Sequence, residues 1–317
     1  MGRGGFATLS LMDIRHLGAT GLRVSALGLG TLTWGRDTDE HDAGAQLRAF
    51  LDAGGNLIDT AGTYGEGRAE EVLGGLLAQG VAREDVVIAT KSGVGPRGVD
   101  ASRANLIASL EASLRRLGTD YVDVWFVQAP DPHTPIEETV SALRHGVASG
   151  RARYVGLSNF PAWRVAQVAT LLSSDPGLGA TQEEYSLLNR DGEIEALPAA
   201  QGLGVGFIAW SALGRGVLTG KYRHSIPADS RAASPHLRGF VEPYLTQSAR
   251  GVVEAVHAAA EGLGRSAAEV ALAWARDAEG VSCALVGART PGQLTSLLAA
   301  ADLVLPQEIR DVLEEVS

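Results

Sequence analysis

A (β/α)8 TIM barrel of the α/β class is what the sequence predicts. Three observations carry that prediction: short, β-rich apolar runs alternate with longer amphipathic ones, eight alternations fit within 317 residues, and no linker-like shift in composition divides the chain. Eight units favour a closed barrel over an open doubly wound sheet, so residues 1–317 read as one domain, with 1–11 as a disordered extension ahead of it.

Taken in order, residues 14–17 and 22–24 flank the turn Gly18-Ala19-Thr20-Gly21 and read as an N-terminal β-hairpin closing the barrel bottom. Barrel strands follow at 24–30, 56–60, 86–90, 122–127, 154–157, 180–183, 206–210 and 283–286, their starts mostly 25 to 36 residues apart. The intervening helices are amphipathic: Leu106, Leu110, Leu114 and Leu117 line one face and cover the sheet. More than seventy residues separate the seventh and eighth strands. A polar, Gly- and Pro-containing segment at 214–243 and helical patterns near 246–262 and 266–278 make this an elaborated loop after strand seven, and a final helix follows Pro306.

Twenty-seven basic against 37 acidic residues give a net charge of −10, which disfavours nucleic acid and anionic membranes as partners. The single cysteine, Cys283, lies in an apolar stretch and reads as a small core residue, excluding an internal disulfide framework. The seven histidines form neither HxH nor HExxH, so no metal is expected. No apolar run reaches the ~18 residues of a membrane span and the start lacks a signal-peptide core, which implies a cytoplasmic protein. No pattern specifies an oligomeric state. Lysine is nearly absent, and the two that remain, Lys91 and Lys221, call for reasons.

In a barrel of this kind the reactive groups sit where strands end. Polar residues cluster there: Asp59 to Tyr64 after strand two, Lys91 after strand three, Gln128 to Asp131 after strand four, Ser158 and Asn159 after strand five, Gln182 and Tyr185 with strand six, Trp210 and Ser211 with strand seven, Gly287 and Arg289 after strand eight. A lysine ending an apolar strand needs a carboxylate partner, and Asp59 on the neighbouring strand is the obvious one. Tyr64 could then bring its hydroxyl beside the ammonium, which favours phenolate, lowers the phenol pKa and makes a proton donor.

The chain resembles the aldo-keto reductase superfamily from Asp13 to about Val304, closest to its bacterial general reductases and potassium-channel β-subunit relatives. The segments that carry the likeness are LGLGT (27–31), DTAGTYGEGRAEEVLG (59–74), TKSG (90–93), YVDVWFVQAPD (121–131), GLSNF (156–160), QEEYSLLNR (182–190), AWSALGRGVLTGKY (209–222) and GARTPGQL (287–294). The resemblance implies a barrel that binds NADPH in extended form and reduces carbonyls with an Asp, Tyr, Lys, His tetrad. Asp59, Tyr64 and Lys91 match three members, and Gln128 stands where the family has the histidine. Glutamine keeps an N–H donor but cannot titrate. It is compatible with an ordinary reductase, with reduction of C=C or C=N bonds, or with a weakly active nucleotide-sensing subunit.

The sequence has neither a Rossmann fingerprint nor a Walker loop: the glycines around Gly28 and Gly214 are wrongly spaced for both. By resemblance, Ser158, Asn159 and Gln182 hydrogen-bond the nicotinamide carboxamide, Trp210 stacks on its ring, and Gly30, Thr31, Asp59 and Gly287 join the cofactor contacts. Ser211, Leu213, Gly214, Gly216 and Lys221 wrap the pyrophosphate, Arg231 clasps the adenosine end, and Arg289 with Gln293 takes the 2′-phosphate and adenine. A guanidinium at a helix N-terminus suits a phosphate dianion, hence NADPH over NADH. Positive charge at Arg215, Lys221, Arg223, Arg231 and Arg289 overrides the acidic total. The substrate, a small molecule with a carbonyl or related unsaturated group, is expected between Tyr64, Gln128 and Trp34, with Trp163 and residues 240–244 as further walls.

Overall fold

Alternation along each strand decides which side chains enter the barrel. Leu57, Val87, Ala89, Val124, Phe126, Ala180, Ile208, Cys283 and Leu285 pack together as one buried interior cluster. Their neighbours in sequence, among them Ile58, Ile88, Trp125, Phe207 and Ala284, belong to a second, larger core under the helices. Two apolar faces per strand explain why these runs read as continuous hydrophobic stretches. Cys283 is fully buried in the interior, as expected of a small core residue, and burial pushes its thiol well above the ordinary value.

The computed structural model describes residues 12–173, 177–228 and 230–317, so the extension expected at 1–11 lies outside the described residues. Eight parallel strands close the barrel in chain order: Leu27–Gly30, Leu57–Asp59, Val87–Ser92, Val122–Val127, Ala152–Ser158, Leu178–Glu184, Gly206–Trp210 and Val281–Val286, the last pairing back to the first. The run expected as one strand at 24–30 is broken at Ala26. Arg23–Ser25 pairs antiparallel with Ile14–His16 as the N-terminal hairpin, and only Leu27–Gly30 enters the barrel. The corner is held by the Ser25 hydroxyl, which donates to the Leu27 carbonyl and accepts from the Asn56 amide. Leu17 and Val24 of the hairpin plug the interior cluster from below.

The helices begin and end where their caps dictate. Ser102 accepts from the Asn105 amide to open Arg103–Leu117, whose buried face is Leu106, Leu110, Leu114 and Leu117, and Gly118 closes it in the left-handed region. Ser266 and Glu269 form a capping box at the start of Ala267–Arg276, and Thr290 caps Pro291–Leu298. The segment at 214–243 contains short 3-10 turns and the one-turn helix Arg238–Val241, and the final helix is Gln307–Val316. Among the described residues no helix is long and apolar enough to cross a membrane.

Candidate active site

The period of two that builds the interior continues past its last apolar layer. Leu57 is followed two residues on by Asp59, Ala89 by Lys91, Phe126 by Gln128, Ala180 by Gln182, Ile208 by Trp210 and Leu285 by Gly287. All six of these successors line one cavity of about 540 Å³ at the C-terminal mouth of the barrel. The topmost interior layer is thus polar because it is the floor of a site.

Lys91 and Asp59 are 3% and 2% exposed, and the Lys91 ammonium donates to Asp59 Oδ2 at 2.6 Å, to the Thr60 carbonyl at 3.0 Å and to the Tyr64 hydroxyl at 3.2 Å. Burial works against the Lys91 charge, but Asp59, Tyr64 and these hydrogen bonds outweigh it and hold the ammonium above its ordinary pKa. Tyr64 is delivered by a turn, Tyr64–Gly67, in which Gly65, Glu66 and Gly67 all have positive φ. The expectation of a lowered phenol pKa is corrected here. Burial raises it and the Asp59 charge raises it further; Lys91 lowers it by less, so the proton is held more tightly than on a free tyrosine.

Gln128 is placed beside this trio by the end of the fourth strand, and its amide bonds the Thr63 hydroxyl at 3.2–3.3 Å. Asn159, left-handed at φ 60, donates to the Gln128 carbonyl at 3.0 Å and to Ser158 Oγ at 3.1 Å, and accepts from the Trp210 indole at 3.1 Å. Both of the Asn159 N–H bonds are committed within the protein, leaving only acceptor capacity on its oxygen. Gln182 donates to Asp59 Oδ1 at 2.8 Å.

From this floor the cavity runs outward past Trp210, Ser211, Leu213 and Gly216 to Lys221, Arg231, Gly287, Arg289 and Gln293. Ser211, Gly214, Arg215 and Gly216 all have positive φ, a backbone form that gathers amide N–H groups into anion-binding concavities. A Cβ on Gly216 would stand 3.2 Å from the Lys221 ammonium, so the absence of a side chain there allows lysine and backbone to converge. Desolvation pulls the Arg231 guanidinium below its ordinary value, and neighbouring Arg289 pulls it further. Two crowded cations, one of them desolvated, are stabilised by a phosphate, so the donor set at this end fits an anionic dinucleotide. Among the described residues no group of three His, Cys, Asp or Glu side chains is arranged to hold a metal ion.

The Aldo/keto reductase family matches residues 26–317. The chain belongs to that family. It is 37% identical over 316 residues to a probable voltage-gated potassium channel subunit beta from Oryza sativa subsp. japonica, covering 96% of each chain. It is 39% identical over 299 residues to the L-glyceraldehyde 3-phosphate reductase of Escherichia coli O157:H7, covering 89% of this chain and 86% of that one. As an aldo/keto reductase the protein is a member of an oxidoreductase group whose members generally bind NAD(P)H.

Within this aldo/keto reductase barrel, five residues expected at the site fall away from the cavity: Trp34, Thr31, Gly214, Trp163 and Tyr185. Trp34 is fully buried and its indole donates to Gln46 at 3.1 Å, because the loop after the first strand turns it toward the helix Glu40–Asp52. Thr31 is likewise buried, its hydroxyl on the Asp59 carbonyl at 3.1 Å. Gly214 underlies the turn, where an added Cβ would meet the Leu188 side chain at 2.8 Å. Trp163 is 60% exposed on the outside, and Tyr185 is a core residue stacked on Trp274. Phe240 does wall the cavity and stacks on Trp210 at 6.3 Å. Leu32, Ser266, Ala268 and Ser296 line it without having been anticipated. Ser296 lies one turn beyond Gln293 on the helix Pro291–Leu298, where helical spacing could have flagged it; Ser266 and Ala268 depend on how the long segment after strand seven folds back.

Proposed function

We propose that this protein is an NADPH-dependent carbonyl reductase in which Tyr64 is the general acid. The chemistry a bound NADPH supplies is a hydride for the carbonyl carbon. One N–H of the Gln128 side-chain amide donates to Thr63 Oγ1 at 3.2 Å, and its second N–H would hold the carbonyl oxygen. Tyr64 gives its proton to that oxygen, and the phenolate left behind lies 3.2 Å from the Lys91 ammonium, which Asp59 keeps charged. Burial makes Tyr64 a harder acid than a free phenol, and the Lys91 ammonium 3.2 Å away offsets part of that cost as the phenolate forms. Lys221, Arg231 and Arg289 would hold the phosphates, and the choice of NADPH rests on Arg289 at the helix N-terminus of Pro291–Leu298.

The single observation that carries the proposal is the Asp59–Lys91–Tyr64 chain of short contacts on the floor of the cavity. Its test is Tyr64→Phe, assayed by NADPH oxidation over aldehydes, ketones, enones and cyclic imines with NADH as control. Turnover on carbonyls is expected to fall by about 10²–10⁴-fold with NADPH affinity unchanged. Equal turnover in the variant would remove Tyr64 from the mechanism.

A second reading is favoured by the non-titrating Gln128 and by the channel-subunit relatives: an NADPH-sensing regulatory subunit with little turnover. Tight NADPH binding without multiple turnovers on any of those substrates supports it. Preference for enones or imines over carbonyls would instead mark Gln128 as specialised for C=C or C=N reduction.

A further inference from the structure

Gln182 is 2% exposed, and its backbone is pinned: its carbonyl accepts from Ser158 Oγ at 2.9 Å and from the Asn159 amide at 3.1 Å. Its side-chain nitrogen donates to Asp59 Oδ1 at 2.8 Å, while Asp59 Oδ2 accepts from Lys91 at 2.6 Å. An ionised carboxylate only accepts, so this contact fixes which end of the Gln182 amide meets Asp59 and leaves Oε1 as an acceptor, on a residue that lines the cavity. Each carboxylate oxygen of Asp59 therefore has its own buried donor, one leading to the acid and one to the wall of the cavity.

We propose that Gln182 is a positioning residue: by holding Asp59 Oδ1 it fixes the carboxylate that orients Lys91, and so sets how Tyr64 holds and releases its proton. This rests on the reading of Tyr64 as the acid. Without the Gln182 donor, a buried carboxylate oxygen loses its partner, and the carboxylate turns or throws more of its charge onto Lys91 and Tyr64. A residue that served only to bind a cofactor ring would leave that geometry untouched.

The test is Gln182→Met, a near-isostere without the donor, with Gln182→Glu as a second variant that keeps the shape but sets another carboxylate against Asp59. Two measurements are made on each. The first needs no turnover: 13C NMR of the full-length protein labelled at tyrosine Cζ, with Tyr64 assigned by its loss in Tyr64→Phe. The second compares kcat on the best carbonyl substrate with NADPH affinity from quenching of tryptophan fluorescence. Expected are a displaced Tyr64 resonance in both variants at neutral pH and a kcat loss of about tenfold or more, larger than any accompanying rise in NADPH Kd. A Tyr64 resonance superimposable on wild type, or a loss confined to NADPH Kd, overturns the proposal. If no carbonyl is turned over even by wild type, the reductase reading fails while the NMR comparison still decides the role of Gln182.

Discussion

Position 128 is where one side chain most changes what the site can do. The Gln128 amide donates to Thr63 and lines the same cavity as Tyr64 and Lys91, but it carries no proton that titrates between pH 5 and 8. Gln128→His is therefore expected to add a limb to the pH profile of kcat/KM centred near the ordinary imidazole value, about 6.5, and to raise turnover of simple aldehydes by ~10-fold. A profile superimposable on wild type would mean that the donor, not its ionisation, is what matters at this position. The Asp59–Lys91 pair was legible in the sequence because an isolated lysine ending an apolar strand has few ways to be stable, and a carboxylate ends the adjacent strand. The direction of the Tyr64 shift was not, because it depends on how deeply the Tyr64–Gly67 turn sinks the phenol, and burial outweighs the attraction of Lys91. Trp34 and Thr31 were misplaced for a related reason: proximity in sequence to a strand end does not say whether a side chain faces the cavity or the helices.

The sixth strand, Leu178–Glu184, carries a titrating group outside the active-site cavity, one residue beyond Gln182. Its Glu183 receives hydrogen bonds from Thr181 Oγ1 and the Phe160 amide, yet burial pushes the carboxyl from an ordinary 4.5 up to about 7. The folded state therefore holds this proton more tightly than the unfolded chain. Its contribution to stability is complete below about pH 4.5 and is lost as pH climbs through about 7. Glu183→Gln keeps an acceptor for both donors and removes the ionisation, so its Tm is expected to match wild type near pH 4.5 and exceed it at pH 8 by about 4 °C, read by thermal melts. A Tm difference that does not grow with pH would show that Glu183 ionises without strain. Period-two patterning made most of the barrel strands legible within a few residues, and it also explains why the site residues sit two places beyond the last apolar interior layer. The corner at Ala26 was illegible because Ser25, a hydroxyl bridging two strands, makes it from contacts remote in sequence. Four non-glycine residues, Glu66, Asn159, Ser211 and Arg215, take positive φ in or beside the site, each at about 1–3 kcal/mol, and composition gave no sign of them.

Across the whole molecule, charge presents a contest of signs. The chain carries a net −10, which repels an anionic dinucleotide at long range, while Lys221, Arg231 and Arg289 gather at one end of the cavity. Distance decides between them: at physiological salt the Debye length is about 8 Å, so dispersed carboxylates are screened while cations lining the cavity remain within reach of a phosphate. Raising salt then weakens binding by screening the near attraction more than it helps by screening the far repulsion. The NADPH Kd is expected to rise roughly 3- to 10-fold between about 0.05 and 0.5 M salt, measured by quenching of tryptophan fluorescence. Arg289→Ala is expected to weaken NADPH by about tenfold at low salt, to leave NADH nearly unaffected and to flatten the salt dependence for NADPH. An affinity that improves with salt would assign control to the acidic surface and leave the three cavity cations without a part in phosphate binding.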